Sequence, residues 1–182
     1  MQKYFNKQER ITAFMELMKG GFQPVQCENL AKLLDEMGFF DAPASHKYHG
    51  VFPGGLFEHS EDVTRNLVYL TQQLGLEWQK PRSPYLVGMM HDLCKCDLYI
   101  LQPDGSYTYH ENRPLTGHGD KSVILAQQIA DLTEEEVLCI RWHMGAYDDA
   151  KNWSAIGAAI EKYPNVLYTH TADMIASRIN GV

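Results

Sequence analysis

The chain has 182 residues, 45% of them hydrophobic and 21% charged, which is the composition of a soluble globular protein with a single domain. The formal net charge of −7 argues against an extensive nucleic-acid surface, because sequence-independent phosphate binding needs an excess of lysine and arginine. No apolar run approaches the roughly 20 residues that span a bilayer, and the N-terminus lacks a secretory signal, so we expect a cytoplasmic protein without a membrane partner.

Helical periodicity dominates the first half of the sequence. Apolar stripes predict two helices, and their members are Ile11, Phe14, Met15 and Met18, then Val25, Leu30, Leu33, Leu34 and Met37. A third helix is predicted over 56–74, and a fourth starts at Ser83, which can cap it, with Pro84 in the first turn. We interpret residues 1–43 as a helical scaffold that precedes a functional core over 44–179.

The second half repeats the helical pattern after one interruption. Helices are predicted over 120–131, 133–142, 154–162 and 166–179, and Thr133 with Glu136 forms a capping box for the second of these. The interruption is "LYILQPDGSYTYH", where two β-rich runs flank a turn at 103–105 and predict a short hairpin. The predicted fold is therefore all-α with one hairpin, which could cover a pocket or form a solvent-exposed connection.

Six histidines and aspartates fall at helix ends or on apolar helix faces. Any one of them could be a hydrogen-bonded core residue. Together they favour a shared partner such as a metal ion, because each polar group needs a partner once it is buried. The six are His59, His91, Asp92, His118, His143 and Asp173.

The order His59, then His91-Asp92, then Asp173 resembles the signature of the HD-domain superfamily of metal-dependent phosphohydrolases. The resemblance spans 44–179 and is carried by "GGLFEH", "HDLCK" and "TADMIAS". The lead-in "APASHKYHGVFPGGLFEHS" is similar to that of the HD domains of certain bacterial 3′ to 5′ exoribonucleases. Those enzymes carry an additional oligonucleotide-binding domain that 182 residues cannot also contain, so processive RNA degradation is not expected. The resemblance implies a compact helical bundle with the ligands at its centre.

The family pattern also implies a ligand set. His59, His91, Asp92 and Asp173 would bind one divalent ion, while His118 and His143 match the extra positions of the dinuclear subset, in which Asp92 bridges two ions. A single ion, with His118 and His143 contacting substrate or carrying protons, remains the alternative. Imidazole and carboxylate ligands suit Mn, Fe, Co, Ni or Zn, and two such ions would stabilise both the attacking and the leaving oxygen at phosphorus.

Lys95 is the candidate for contact with substrate. On a continuous helix it lies four residues after His91 and three after Asp92, so its ammonium could reach a phosphoryl oxygen above the metal-binding face. The alternative is a helix-end charge paired with Asp92 or Asp97. Further substrate-binding candidates are His49, His170 and Arg113, together with His46 on the loop of His49 and Lys121 as another basic residue, and the cysteines are interpreted as thiols used for packing.

The leading expectation is an enzyme that hydrolyses a phosphate monoester or phosphodiester, with Asp92 and Lys95 as catalytic residues and a nucleotide or short oligonucleotide as substrate. Two alternatives stay open: an HD-fold diiron oxygenase, and a nucleotide-sensing protein that has lost turnover. The amphipathic N-terminal helices could cap the bundle or form a homodimer contact, and their periodicity does not decide between these roles.

Overall fold

The computed structural model describes residues 2–181, which form eight α-helices and one two-stranded antiparallel sheet. The predicted mostly α-helical fold with a single hairpin is confirmed. The helices are α1 (Lys7–Met18), α2 (Pro24–Glu36), α3 (Gly55–Leu74), α4 (Ser83–Met90), α5 (His118–Gln127), α6 (Glu134–Arg141), α7 (Trp153–Lys162) and α8 (Asn165–Met174). The strands are β1 (Tyr99–Leu101) and β2 (Tyr107–Tyr109). None of the helices within 2–181 is both long enough and apolar enough to cross a lipid bilayer.

One cluster of buried apolar side chains draws members from all eight helices. At its N-terminal end, rings from α1, from the turn after α2 and from α3 meet edge-on or tilted at centroid distances of 5.3–6.3 Å, namely Phe14, Phe39, Phe40 and Phe57. Such aromatic pairs add about 0.5–1.5 kcal/mol each beyond their burial. Helix α1 and the turn after α2 thus pack against α3, which carries the first histidine of the candidate site.

Two details at the starts of helices differ from the sequence prediction. Val25 was placed on the buried stripe of α2, but its side chain is 66% exposed because it lies in the first turn of the helix. Ser83 was predicted to cap α4; instead it is the first helical residue, fully buried, and its hydroxyl donates to the Glu136 carboxylate at 2.9 Å. The capping box of Thr133 and Glu136 is present at the start of α6 as predicted.

The chain leaves helical geometry where the site begins. Helix α4 ends at Met90, Asp92 adopts φ −110° and ψ 20°, and a 3-10 helix continues over Leu93–Asp97. The continuous helix assumed for the spacing of Lys95 is therefore wrong. Residues three apart eclipse one another in 3-10 geometry, so Lys95 still lies over Asp92 and its backbone N–H donates to the Asp92 carbonyl at 2.9 Å.

The hairpin and the C-terminal helix complete the bundle. Strand β1 pairs with β2 in the register Tyr99 with Tyr109, and Gly105 takes the left-handed conformation that the connecting turn requires. Helix α8 continues as a π-helix over Ile175–Asn180, and single 3-10 turns occupy Gly145–Tyr147 and Ala150–Asn152. The two 3-10 turns were not expected from the sequence, whereas the π-helix lies largely within the helix predicted over 166–179 and only its π geometry is new.

Candidate metal centre and substrate pocket

Close packing of two helices brings the first two histidines together. A side chain at Gly88 of α4 would meet the Thr64 backbone of α3 at 2.6 Å, so only glycine lets the helices approach this closely. Across this contact His59 and His91 face each other with their Nε2 atoms 3.3 Å apart. A second close approach, of Gly119 to the Arg141 carbonyl, holds the start of α5 against the end of α6. It places His118 beside His143, with ring centroids 5.1 Å apart.

The Asp92 carboxylate lies between these two histidine pairs. Its Oδ2 atom is 3.5 Å from Nε2 of His59 and 3.4 Å from Nε2 of His91. Its Oδ1 atom is 2.8 Å from Nε2 of His118 and 3.4 Å from Nε2 of His143. Asp173 on α8 completes the first group, with Oδ1 3.2 Å from Nε2 of His59. The structure therefore brings all six predicted residues into one cluster, with two histidines at each oxygen of Asp92.

Backbone carbonyls fix how two of the rings are oriented. Nδ1 of His91 lies 2.8 Å from the Gly88 carbonyl, and Nδ1 of His143 lies 2.7 Å from the Ile140 carbonyl. A carbonyl can only accept, so each Nδ1 carries a proton, and in the neutral ring the Nε2 lone pair points at the cluster. This is the tautomer in which a histidine binds a metal ion, and the hydrogen bond holds the ring in place.

Charges within the cluster keep its carboxylates ionised. Burial by itself would raise the pKa of Asp92, but the Lys95 ammonium, 2.6 Å from Oδ2, and the neighbouring imidazoles hold that pKa well below its usual range. Burial opposes ionisation of Asp173 as well, yet the hydrogen bond and charge of His59 lower its pKa. For Lys95 burial would lower the pKa, and the charge of Asp92 raises it above the ordinary value.

The positions and burial of the ligand atoms are compatible with a bound metal ion. His143 Nε2 is buried 3.4 Å from Asp92 Oδ1 and has no hydrogen bond of acceptable geometry, although an unsatisfied buried polar group costs about 1–3 kcal/mol. Three groupings each place their ligand atoms within 4.8 Å of one another: His59, His91 and Asp173; His91, Asp92 and His143; and Asp92, Cys94 and His118. These buried groups could hold a metal ion.

Cys94 is the residue at this site that sequence reasoning missed. It was interpreted as a packing residue, but its Sγ atom lies 3.1 Å from Nδ1 of His118. Burial and the Asp92 charge raise the pKa of this thiol to about 12, so it stays protonated at neutral pH. Only its position two residues after Asp92 could have drawn attention to it, and spacing alone does not reveal which ring it touches.

A pocket of about 740 Å³ opens above the cluster. Asp92, Lys95, His118 and Asp173 form its floor, while His59, His91 and His143 lie beneath it, almost fully buried. The hairpin contributes Tyr99 and Tyr109 to the wall, so it borders the pocket rather than only connecting two helices. His46 packs against both tyrosines, with its ring centroid 4.7 Å from that of Tyr109.

The remaining candidates for substrate contact divide into two groups. His49 and His170 line the pocket, and burial together with the charges of His59 and Lys95 lowers the pKa of His49 to about 4. Nδ1 of His170 lies 2.8 Å from the His143 carbonyl, so this ring also supports the candidate metal-binding cluster. Arg113 does not line the pocket, and Lys121 is buried in an ion pair with Asp97.

Comparison with known proteins gave no further identification: no protein-family model, no curated protein and no solved structure matches the chain.

Proposed function

We propose that the chain is a metal-dependent phosphohydrolase of the HD-domain superfamily, acting on a phosphate monoester or phosphodiester of a nucleotide or short oligonucleotide. One observation supports the proposal most strongly. The two oxygens of the Asp92 carboxylate face different histidine pairs, His59 and His91 at one oxygen and His118 and His143 at the other. A carboxylate placed in this way could contribute one oxygen to each of two groups of ligands.

The residues would hold the two ions as two groups that share Asp92. His59, His91 and Asp173 make up one group, and His118 and His143 the other. Nitrogen and oxygen donors of this kind suit Mn, Fe, Co, Ni or Zn. When bound, such ions would supply positive charge at the reacting phosphate and would lower the pKa of water, which is the chemistry that displacement at phosphorus needs near neutral pH.

Lys95 orients and stabilises the phosphate in this proposal. One of its three N–H groups is used by Asp92, and the side chain lines the pocket, so the other donors can reach a non-bridging phosphoryl oxygen. The pairing with Asp92, which the sequence left as the alternative role, is thus compatible with contact to substrate. The raised pKa of Lys95 keeps the ammonium charged throughout the neutral range.

In this proposal two pocket histidines contact the substrate in different ways. His170 lines the pocket, and its Nδ1 donates to the His143 carbonyl, which leaves Nε2 as the atom that meets substrate. In its protonated form Nε2 can give a proton to the departing oxygen. His49, whose low pKa keeps it neutral, can accept a hydrogen bond from a substrate hydroxyl.

The direct test is a hydrolysis screen. Nucleoside monophosphates, cyclic nucleotides, short oligonucleotides and a generic phosphodiester are each offered to protein loaded with Mn, Fe, Co, Ni or Zn, and Asp92→Ala is the matched control. Metal-dependent phosphate release that is absent from the variant supports the proposal. A mixed-valent diiron EPR signal with oxygen consumption would favour the oxygenase, and tight nucleotide binding without turnover would favour the sensor.

A further inference from the structure

The charge pattern of the pocket differs from that of the whole protein. The chain carries a net charge of −7, yet among residues 2–181 the only acidic side chains that line the pocket are those of Asp92 and Asp173, both part of the proposed metal centre. The other charged residues of the lining are all basic: Lys47, Lys95 and Arg178. Positive charge is therefore concentrated at this pocket although the protein as a whole is acidic, and this charge attracts anions to the pocket.

Lys47 is presented by a hydrogen-bonded loop. The Ala44 N–H donates to the Gly50 carbonyl at 3.0 Å and closes the loop at its base. Inside it the Ser45 hydroxyl donates to the His49 carbonyl at 2.7 Å and accepts the Tyr48 N–H at 2.9 Å. Lys47 thus lies at the tip of an ordered turn, where its side chain is exposed and makes no ion pair within residues 2–181.

Arg178 lies on the same side of the C-terminal helix as a proposed metal ligand. Asp173 with Ser177, and Met174 with Arg178, are pairs four residues apart, and all four line the pocket. The guanidinium lies over the Tyr147 ring, 5.5 Å from its centroid. Among the ion pairs of the described chain none involves Arg178, so its charge is available to a ligand.

Lys95 and the two exposed cations play different roles. Lys95 is almost buried and bonded to Asp92 on the pocket floor, where the proposed reaction takes place. Lys47 and Arg178 are exposed at the rim. A substrate with one phosphate on the floor would leave this rim unused, whereas one with a further anionic group would use both regions.

We propose that Lys47 and Arg178 form a second anion-binding subsite, which selects substrates that carry an anionic group in addition to the phosphate at the metal centre. The proposal rests on the proposed function only in placing the reacting phosphate near Asp92. Tyr48, Tyr99, Tyr109 and Tyr147 line the pocket and supply flat surfaces for an aromatic portion of such a ligand. The substrate class is therefore a phosphate ester of an aromatic-containing compound with at least two separate anionic groups.

The test compares binding of adenosine 3′,5′-bisphosphate with that of the 3′- and 5′-monophosphates to metal-loaded protein. Calorimetry measures binding at two salt concentrations, and the recovered nucleotide is analysed so that turnover is scored separately. We expect the bisphosphate to bind roughly tenfold more tightly than either monophosphate, and the difference to shrink at high salt. In the Lys47→Met/Arg178→Met double variant the preference should disappear, while monophosphate binding changes less than about twofold.

The matched control is Lys32→Met/Lys80→Met, which makes the same change in net charge at two exposed lysines outside the pocket. This control should keep the bisphosphate preference. The inference is overturned if the wild-type protein binds all three nucleotides equally or binds none of them. It is also overturned if the preference survives in the Lys47→Met/Arg178→Met variant, the rim variant. Loss of the preference in the rim variant without any turnover in the wild type supports the subsite and counts against the hydrolase instead.

Discussion

Cys94 and His118 are in direct contact, with Sγ of the cysteine 3.1 Å from Nδ1 of the histidine. The other ring nitrogen of His118 lies 2.8 Å from Asp92. For Nε2 to bind a metal, Nδ1 must carry the proton, and the Cys94 sulfur is then its acceptor. Cys94 is therefore a positioning residue for one half of the proposed centre.

Cys94→Ala should lower the affinity for the ion held by His118 and His143 roughly 10- to 100-fold, because the His118 ring loses the hydrogen-bond acceptor that orients it. The ion held by His59, His91 and Asp173 should remain. Metal content measured after dialysis against graded metal buffers checks this. Cys27→Ala, which also removes a buried sulfur but lies on α2, should leave both ions bound, and unchanged metal affinity in Cys94→Ala would refute the positioning role.

Lys95→Met should lower turnover on the order of a hundredfold while the metal content stays unchanged, because in the proposed reaction the ammonium stabilises phosphoryl charge and does not bind metal. The ion pair with Asp92 adds a second expectation. In metal-free protein the variant leaves a buried carboxylate without its closest cation, which costs about 3–5 kcal/mol when such a pair is broken.

Melting temperatures with and without metal separate these two effects of Lys95→Met. Bound ions supply the missing positive charge, so the fall in melting temperature should be larger for metal-free than for metal-loaded protein. Full activity in the variant would exclude a catalytic role for Lys95. Loss of metal would instead assign Lys95 to the structure of the centre.

Tyr109→Ala should weaken binding of adenosine 3′,5′-bisphosphate, because an aromatic side chain that stacks on a base contributes about 1–3 kcal/mol, or roughly 5- to 150-fold in affinity. Tyr109 lines the pocket from the hairpin, whereas Tyr69 is similarly exposed on α3 outside it. Tyr69→Ala is therefore the control. Calorimetry on metal-loaded protein decides the matter, and equal affinities of the two variants would show that the hairpin does not contact the ligand.

Ser83→Ala should lower the free energy of unfolding by about 1.5–3 kcal/mol, because the buried Glu136 carboxylate loses a hydrogen-bond donor. Ser154→Ala, which removes an exposed serine hydroxyl at the start of α7, should cost much less. Urea unfolding curves measure both. Equal values for the two variants would mean that the link between α4 and α6 contributes little.

The sequence predicted the helices from short-range apolar patterns, whereas the set of six clustered residues also depended on the resemblance to the HD-domain signature. Apolar stripes locate helices, and the quoted motifs mark His59, His91-Asp92 and Asp173. Contacts between distant segments could not be predicted in the same way. Ser83 has the residue type and place of a helix cap, and only the position of α6 shows that its hydroxyl meets Glu136.

The same limitation applies to Cys94, Lys47 and Arg178. Cys94 is a small apolar residue of the kind that commonly fills a core. Its contact with His118 depends on where α5 begins, 24 residues later. Lys47 and Arg178 are 131 positions apart and meet at one pocket only after α8 continues through its π-helical end. Arg113, by contrast, is close to His118 in sequence but does not reach the pocket, because nearness along a loop does not fix the direction of a side chain.

The number of metal ions per chain tests the central claim most directly, because the two oxygens of Asp92 face two separate pairs of histidines. Elemental analysis of metal-replete protein, prepared aerobically and anaerobically, should give two ions per chain, with one left in His118→Ala and none in Asp92→Ala. A wild-type protein that never holds more than one ion, or an Asp92→Ala variant that retains both, would contradict the account.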